Sequence, residues 1–439
     1  MINKIYFIGF GAVAKTLFEL HNKTKQFKKA KVIIIEPLDV PDWIGRGRKV
    51  KHIQQKITQE NYKELLKGVT SDTFIIDLSV DVDALMLIEY AIKRDALYIN
   101  TSLEQWQVEH NINATTYKQI KKDTLYYRQK LLDKMVKKSN SSIITDMGMN
   151  PGGVESIALS FIDKLFIDKG LQCKKDCKCT HAMKAQKLGI LTIHISEIDT
   201  QETDRPYDPN EFVSTWSALG FTSEATENGT VYLGTHEIEQ ENFIKPDDNS
   251  RMRFYKTPAL NIIQQTYCLD HKGNTVIYKG MVIPHGETSR MGLYLTVKED
   301  KNITYCPSIY YVYRPCPRGI LSIQDLKNND YKQLEKWHVL DNSEISNKNG
   351  YDSVGVTVYL DNGEVWWAGT SVSRSDVAKL NLKHSTATTL QVAAFMDAAI
   401  NYMMKHKEEG IIDPENLPYA YILNHAKPYL GNYYEKRIK

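Results

Sequence analysis

Two glycines near the start of the chain could hold the phosphates of a dinucleotide. The segment IGFGAVAK places Gly9, Gly11 and Ala14 in the spacing G-x-G-x-x-G/A, between an apolar run and a segment with helical periodicity. In this motif the first glycine makes a tight turn, the second lets the backbone approach a pyrophosphate, and the third position lets the helix pack closely on the strand. The N-terminus of that helix then faces the phosphates, so we expect a dinucleotide site here.

Glu36 indicates which dinucleotide this site would hold. It follows the second apolar run, 22 residues beyond Ala14. An acidic side chain at this place can bind the ribose diol of NAD and would repel the 2′-phosphate of NADP. Arg46, Arg48 and Lys49 lie in a later loop and are the residues that would favour NADP. We predict NAD as the cofactor.

A second group of residues could bind a cation. The segment 194–229 has Trp216 at its centre and Arg205 as its only arginine, and its carboxylates are Glu197, Asp199, Glu202, Asp204, Asp208, Glu211, Glu224 and Glu227. Carboxylates around an indole face suit a cationic ligand, with a cation–π contact of about 0.5–2 kcal/mol. A site for a carboxylate substrate would instead need forked arginines. The same composition also fits a solvated acidic loop around a core tryptophan.

The segment KGLQCKKDCKCTHAMKAQK could bind a metal. Cys173, Cys177, Cys179 and His181 are four soft ligands within nine residues, enough for a tetrahedral zinc site. However, C-x3-C-x-C-x-H is not a common zinc spacing, and the lysines between these residues oppose a cation. We predict a mobile basic loop without metal. Because the apolar start of the chain is a poor secretory signal, we expect all six cysteines to be reduced thiols.

The elements that position these residues follow two patterns. Strand-like and helix-like segments alternate over residues 1–150, which predicts an α/β fold with a Rossmann-type parallel sheet that binds NAD. This part includes a long basic helix over 115–138. Residues 151–384 read as an α+β domain for substrate binding and dimerisation. A long alanine-rich helix follows, and we expect the helices of residues 385–439 to pack back on the first domain.

Composition excludes several classes of partner. The chain has 439 residues, is 42% apolar and 25% charged, and carries a net charge of +3, so neither nucleic acid nor a membrane surface is expected as a partner. No apolar run approaches the length that spans a bilayer. We expect a cytoplasmic protein.

The chain resembles the bacterial homospermidine synthases of the saccharopine dehydrogenase-like group along essentially its whole length. The strings that carry the resemblance are GFGAVA, INTSLE, TDMGMNPGG, SEIDTQ, STWSALGFTSEA, VIPHGE, YDSVGV and the TLQVAA helix. The resemblance implies an enzyme that uses NAD as a recycled hydride carrier. It would join two putrescines into homospermidine through imines, releasing ammonia, or use spermidine and release 1,3-diaminopropane. A homodimer is also implied.

The resemblance implies roles for individual residues. Trp216 would lie over the cationic substrate or imine. Asn150, His285 and Glu287 would line the reaction centre, with Glu224 and Glu197 binding ammonium groups, and Asp352 and Glu104 would complete amine binding at the outer end of the pocket. The catalytic set is Trp216, His285, Asn150 and Glu224. The cofactor-binding set is Gly9, Gly11, Ala12, Val13, Glu36, Ser79, Thr101 and Asn150.

Oxidation of an amine requires its neutral form, so a base must lie near the reacting nitrogen. His285 is our candidate, with Glu287 or Glu224 as alternatives. Two other functions remain open from the sequence. One is an NAD(P)-dependent dehydrogenase that makes carboxyspermidine or saccharopine-like products, and the other is a catalytically inactive NAD-binding sensor.

Overall fold

A computed structural model of the protein describes residues 2–24, 29–45, 49–107, 110–135, 139–173 and 179–439. In chain order the strands are β1 (Lys4–Ile8), β2 (Lys31–Ile35), β3 (Val50–Ile53), β4 (Thr73–Asp77), β5 (Leu97–Asn100), β6 (Ser142–Ile144), β7 (Ile190–Asp199), β8 (Glu211–Ser214), β9 (Asn228–Tyr232), β10 (Phe243–Ile244), β11 (Met252–Pro258), β12 (Ile263–Leu269), β13 (Thr275–Val282), β14 (Val297–Glu299), β15 (Asn302–Tyr305), β16 (Ser308–Arg314), β17 (Lys336–Val339), β18 (Tyr351–Leu360), β19 (Val365–Ser373), β20 (Gly410–Ile412) and β21 (Asn432–Arg437).

The helices alternate with these strands in the first third of the chain and cluster again near its end. They are α1 (Ala12–Thr24), α2 (Tyr62–Leu65), α3 (Ala84–Ile92), α4 (Tyr117–Ile120), α5 (Leu125–Leu132), α6 (Gly153–Asp168), α7 (His181–Leu188), α8 (Ala218–Thr226), α9 (Gly286–Tyr294), α10 (Pro317–Asn328), α11 (Arg374–Lys379), α12 (Ala387–Lys405) and α13 (Tyr419–Ala426). In the described residues, no helix is long and apolar enough to cross a membrane.

The first sheet confirms the predicted fold class. Its seven strands are all parallel, in the order β20-β6-β5-β4-β1-β2-β3. Apolar runs such as KVIII bury almost every side chain of a strand, because helices cover both faces of a parallel sheet. The strand order changes direction between β1 and β4, and in such sheets ligands bind beyond the carboxyl ends of the strands at that point.

The second sheet has ten strands and mixed directions. Its main path is β10-β11-β9-β16-β7-β18-β19-β21, and β12 and β13 attach through β16. The central strand β7 pairs in parallel with β16 and antiparallel with β18. Isoleucines 193 and 195 of β7 belong to the main core, whereas Ile198 lies in a smaller cluster on the other face. One face of the sheet therefore packs toward the first domain.

The last part of the chain contacts both sheets. Helix α12 packs against α1 and α13, strand β20 extends the first sheet beside β6, and β21 pairs with β19 of the second sheet. We propose that residues 1–150 and 151–384 form two domains and that residues 385–439 join them.

The predicted basic helix over 115–138 is interrupted. Helix α4 ends at Ile120, and α5 begins after Thr124, whose hydroxyl accepts a hydrogen bond from the backbone N–H of Tyr127. A threonine in this extended conformation is a favourable N-cap, so a new helix starts there. The end of the predicted helix, residues 136–138, lies outside the described residues.

Candidate active site

The glycine turn has the geometry that a dinucleotide requires. Gly9 has a φ of +78°, and a Cβ on it would lie 2.7 Å from the carbonyl oxygen of Leu78, so only glycine fits. A Cβ on Gly11 would meet nothing within 4 Å, which leaves open space in front of the turn. Helix α1 begins at Ala12 and continues through Val13, so its free N–H groups point toward that space.

The other expected cofactor residues lie at the same edge of the first sheet. Glu36 follows β2 and accepts hydrogen bonds from the backbone N–H groups of Phe10 (2.7 Å) and Leu38 (3.0 Å). Ser79 follows β4 and donates to Asp77 at 2.6 Å, and Thr101 follows β5. Lys49 is exposed at the start of β3, whereas Arg46 and Arg48 lie outside the described residues.

Three carboxylates form a first acidic group on the inner face of the second sheet. Glu197 and Asp199 are two residues apart on β7, and Asp352 on β18 pairs directly with Asp199. All three side chains are at most 3% exposed. Burial raises the pKa of Glu197 to about 7, with a smaller contribution from the charge of Asp199. Burial also raises the pKa of Asp199 and, together with the charges of Glu197 and Asp199, that of Asp352.

Glu197 is held by two hydrogen-bond donors. The hydroxyl of Tyr311 and the side-chain amide of Asn150 each donate to its Oε2 at 2.7 Å. Tyr311 lies on the neighbouring strand β16, while Asn150 lies in the turn between β6 and α6, which contains a cis peptide bond to Pro151. Both donors favour the ionised carboxylate and oppose the effect of burial.

His285 lies between two glutamates. Its Nδ1 is 3.0 Å from Glu287 and its Nε2 is 3.2 Å from Glu224, and its ring packs on that of Tyr311 with centroids 4.4 Å apart. Burial lowers the pKa of His285, but the charges of Glu287 and Glu224 outweigh burial and raise it well above the usual value. Our expectation that His285 is the base is therefore not supported. The two glutamates at its ring nitrogens favour the protonated imidazole, which can donate a proton.

Trp216 lies two residues before α8, just ahead of the N-cap residue Ser217, and is partly exposed. Its indole N–H donates to the hydroxyl of Tyr313 at 3.3 Å, and its ring packs near Phe221 with centroids 6.1 Å apart. Tyr313 and Tyr311 stack with centroids 5.8 Å apart. The sequence analysis missed both tyrosines, because YYVYR reads as an ordinary core strand. These contacts fix the plane of the indole.

Glu104 lies near Glu224, the glutamate at Nε2 of His285. Burial is the main cause that raises the pKa of Glu104 to about 8, and the negative charges of Glu224, Asp81 and Asp77 raise it further. We expected Glu104 and Asp352 to share the outer end of the pocket. They lie in different places, because Asp352 belongs to the first acidic group on the sheet and Glu104 is close to Glu224. The candidate site therefore has carboxylates on two sides of His285.

The remaining acids of segment 194–229 do not form a ring around Trp216. Asp208 pairs with Lys336, and Glu211 pairs with Arg205. Glu202 and Asp204 are exposed, and Glu227 lines a cleft beside His285. The acidic residues of this segment therefore lie in different surroundings, and only Glu197, Asp199 and Glu224 reach the site.

A buried arginine connects the elements around the site. Arg290, on α9 one turn after Glu287, contacts Asp146, Glu155 (2.6 Å) and Glu415 (3.2 Å). Glu155 also accepts from the backbone N–H of Gly152 at 2.6 Å, which holds the turn that carries Asn150. Burial raises the pKa of Glu155 to about 8, although the guanidinium of Arg290 opposes it.

The cysteine segment differs from the expectation of six thiols. Cys173 and Cys179 are joined in a disulfide, whereas Cys268, Cys306 and Cys316 are buried free thiols. Cys177 lies outside the described residues, as does most of the basic loop. His181, the fourth zinc candidate, lies 3.2 Å from Asp163. Within the described ranges, no group of three or more His, Cys, Asp or Glu could hold a metal ion.

The chain is similar to known proteins in sequence and in fold. Residues 5–142 match the family described as "Saccharopine dehydrogenase NADP binding domain". Homospermidine synthase of Mesorhizobium japonicum is 26% identical over 97% of this chain and 88% of its own length, and that of Blastochloris viridis is 26% identical over 97% and 89%.

Two solved structures are similar over the whole chain. Homospermidine synthase of Legionella pneumophila, in complex with NAD, has a TM-score of 0.85 at 29% identity and covers 100% of this chain and 92% of its own. Saccharopine dehydrogenase of Saccharomyces cerevisiae has a TM-score of 0.56 at 11% identity over both full chains, which is a likeness of fold. The resemblance to homospermidine synthases found in the sequence is confirmed.

Proposed function

We propose that this protein joins two putrescine molecules into homospermidine and ammonia, with NAD as a cofactor that is not consumed. The observation that carries the proposal is the charge of the site. Glu197, Asp199 and Asp352 are buried together, and in the described part of the chain none of them pairs with Lys or Arg. Burial raises the pKa of all three, and a diamine, with a positive charge at each end of a flexible chain, would stabilise their ionised forms.

The residues at the edge of the first sheet fit NAD. Gly9 and Gly11 leave room for the pyrophosphate, and Glu36 places a carboxylate where a 2′-phosphate would be repelled. The description of the matched family names NADP. The acidic side chain of Glu36 after β2 favours NAD instead, which is the dinucleotide in the Legionella structure. When bound, NAD supplies the hydride acceptor for amine oxidation and the hydride donor for imine reduction.

Glu197 is the base that the geometry favours. Its pKa of about 7 is near the operating pH, and Asn150 and Tyr311 hold it in place. It would accept the proton that makes the reacting amine neutral. Asp199 and Asp352, beside Glu197 on the second sheet, would bind the far ammonium group.

His285 acts on the nitrogen that leaves as ammonia, and Trp216 acts on the iminium group. Ammonia leaves an amine-bearing carbon only after its nitrogen has gained a proton, and the imidazolium of His285 can donate that proton. Glu287 and Glu224 stabilise the charged ring before the transfer, and the ring is neutral after it. The indole of Trp216, fixed by Tyr313, stabilises the iminium charge through its π face. Glu104 would bind the ammonium group of the second putrescine.

A homodimer, which the sequence resemblance implies, and a cytoplasmic location are also part of the proposal. The molecular mass measured by light scattering tests the first. The sequence gives a chain mass of 50.4 kDa, so a dimer would give about twice that value.

Product analysis by mass spectrometry tests the proposed reaction. Purified protein is incubated with putrescine and a small amount of NAD. We expect homospermidine in large molar excess over the NAD supplied, with one ammonia released for each product molecule. If NADH forms in equal amount to oxidised amine, the protein is a dehydrogenase instead. If NAD binds and no amine reacts, the carboxylated substrates and then the sensor hypothesis become the better explanations.

A further inference from the structure

Helix α12 begins in the protein interior, where it contacts both the cofactor helix α1 and strand β18 of the second sheet. Its N-cap is Thr386, whose backbone N–H donates to the hydroxyl of Thr389 at 2.9 Å. The backbone N–H of Thr389 donates in return to the hydroxyl of Thr386 at 3.1 Å. Reciprocal bonds of this kind fix the first turn of a helix. Both threonines are at most 1% exposed, so water does not replace these bonds.

This buried cap reaches the cofactor helix. The hydroxyl of Thr16, on α1, is hydrogen-bonded to that of Thr389 at 2.9 Å and lies 3.0 Å from the backbone carbonyl oxygen of Ala12. Ala12 is the first residue of α1, the helix whose free N–H groups face the proposed pyrophosphate site. Thr16 is fully buried, and a buried hydroxyl that lost its partner would destabilise the fold. The bond between Thr16 and Thr389 therefore ties the two helices together at this point.

The same cap also reaches the amine site. The hydroxyl of Thr386 donates to the backbone carbonyl of Thr215 at 2.8 Å, and Thr215 directly precedes Trp216. The hydroxyl of Thr215 donates to Oδ2 of Asp199 at 2.6 Å, and that of Thr388 donates to the same oxygen at 3.3 Å. The first turn of α12 thus holds the backbone beside the indole and one carboxylate of the first acidic group.

Two glutamines complete the contact between α12 and the acidic group. The side-chain amide of Gln391 donates to Oδ2 of Asp352 at 3.0 Å. Gln201 accepts from the backbone N–H of Ala387 at 2.9 Å and donates to Oδ1 of Asp199 at 3.0 Å. The reaction proposed above uses both aspartates and gives no role to the α12 side chains that hold them.

We propose that Thr386 and Thr389 are positioning residues that couple the cofactor helix to the amine site. The proposal rests on the proposed function. A dinucleotide at the pyrophosphate site fixes α1, and the bond from Thr16 then holds the first turn of α12, Trp216 and Asp199 in the arrangement that binds a diamine. Because groups ordered by the first ligand need not be ordered again by the second, the two ligands bind with positive coupling. The coupling is reciprocal, so a diamine also tightens the binding of the dinucleotide.

ADP-ribose is the probe for this coupling. It carries the pyrophosphate of NAD and lacks the nicotinamide ring that would meet the amine, so its effect on putrescine passes through the protein. Calorimetric titration measures the Kd for putrescine with and without saturating ADP-ribose. We expect ADP-ribose to lower this Kd about fivefold in the wild type. Thr16→Val should reduce the factor to less than about twofold, since one buried hydrogen bond is comparable in free energy to such a coupling.

Matched variants separate the coupling from stability. Thr16→Val keeps the shape of the side chain and leaves the cap of α12 in place. Thr389→Val should also lose the coupling, whereas Thr389→Ser keeps the hydroxyl and should retain it. Thr357→Val is the control, because Thr357 is equally buried and its hydroxyl donates to the carbonyl of Tyr267, away from α12. It should keep the fivefold factor even if its Tm falls.

The outcomes distinguish this proposal from the proposed function. If ADP-ribose has no effect on putrescine in the wild type, or the same effect in Thr16→Val, the coupling is refuted and the proposed function stands. An equal loss in Thr357→Val would also refute it. If Thr16→Val does not fold, Thr389→Val and Thr389→Ser give the same comparison.

If putrescine does not bind at all, the proposed function fails, and the fluorescence of Trp216 decides the coupling alone. Its signal is the difference between the wild type and Trp216→Phe. We expect ADP-ribose to reduce the quenching of this signal by acrylamide in the wild type and to leave it unchanged in Thr16→Val. Unchanged quenching in the wild type would refute the coupling.

Discussion

Replacement of Tyr311 by phenylalanine removes one of the two donors that hold Glu197. The lost contact is the 2.7 Å hydrogen bond from the tyrosine hydroxyl to Oε2. The ring of Tyr311 also packs on His285, and phenylalanine keeps that packing. The variant therefore separates the hydrogen bond from the shape of the site.

The size of the effect follows from the charge that the hydrogen bond stabilises. Hydrogen bonds to charged groups contribute about 1.5–3 kcal/mol, and one pKa unit corresponds to about 1.4 kcal/mol. The hydroxyl favours the ionised form and so lowers the pKa of Glu197, which burial has raised to about 7. Its loss should raise that pKa by about one unit. Because the proposed mechanism requires ionised Glu197, activity would then be lost at a higher pH than in the wild type.

The pH profile of kcat/KM for putrescine measures this shift. We expect the acidic limb for Tyr311→Phe to move to higher pH by about one unit, with an approximately tenfold loss at pH 6.5 and little loss at pH 9. Tyr310→Phe is the control, because Tyr310 is the neighbouring residue on β16 and its hydroxyl contacts Glu237 instead. A limb that stays in place, or a loss that is equal at every pH, would refute the assignment of Glu197 as the base.

Five further substitutions test other parts of the site. Trp216→Ala should lower kcat at least tenfold, as expected for a desolvated cation–π contact of about 2 kcal/mol, while NAD titrations stay unchanged; normal turnover would exclude Trp216 from the pocket. Glu36→Ala should weaken the binding of NAD about tenfold in fluorescence titrations and reduce the preference for NAD over NADP. An unchanged ratio of the two dissociation constants would contradict the role of Glu36. Gly9→Ala should lower Tm and abolish NAD binding, whereas Gly11→Ala, with free space at its Cβ, should abolish binding and keep Tm; equal Tm losses would argue against this distinction. Arg290→Met leaves buried carboxylates without their cation and should lower the free energy of unfolding by about 3–5 kcal/mol in denaturant titrations, so a stable variant would show that these carboxylates are protonated.

The parts of the fold that were predicted correctly depend on local patterns. The apolar run of β1, the glycines after it and the periodicity of α1 lie within 25 residues of each other, so sequence alone identifies the unit. The long helix α12 was also predicted, because its apolar positions and its Ser/Thr start are local features. The prediction of one continuous helix over 115–138 was wrong, because the capping hydrogen bond of Thr124 starts a new helix within this segment.

The composition of the site depends on pairing between distant strands. Tyr313 lies opposite Glu197 only because β16 pairs in parallel with β7 in one particular register. Asp352 joins Asp199 for the same reason, through the pairing of β18 with β7. No local pattern contains this register. The family resemblance supplied Glu197 and Asp352 as candidates, but it gave neither their contacts nor the tyrosines of β16 beside Glu197.

The protonation of His285 could not be predicted from its residue type. An isolated histidine beside a proline suggests a base near neutral pH, whereas two glutamates at its ring nitrogens make it an imidazolium. Glu287 is close in sequence, but Glu224 is brought in by α8 from 61 residues away. The acid–base roles therefore follow from tertiary contacts.

Strand β20 has a consequence for biosynthesis. This strand covers the edge of β6 in the cofactor sheet, and the two segments are separated by more than 260 residues of chain. During synthesis on a ribosome, the second domain must be made before β6 receives its outer neighbour. The nascent first domain would meanwhile present a bare strand edge, which is a surface that chaperones recognise and that promotes association between chains. Completion of the cofactor-binding domain is thus one of the last events in the folding of this protein.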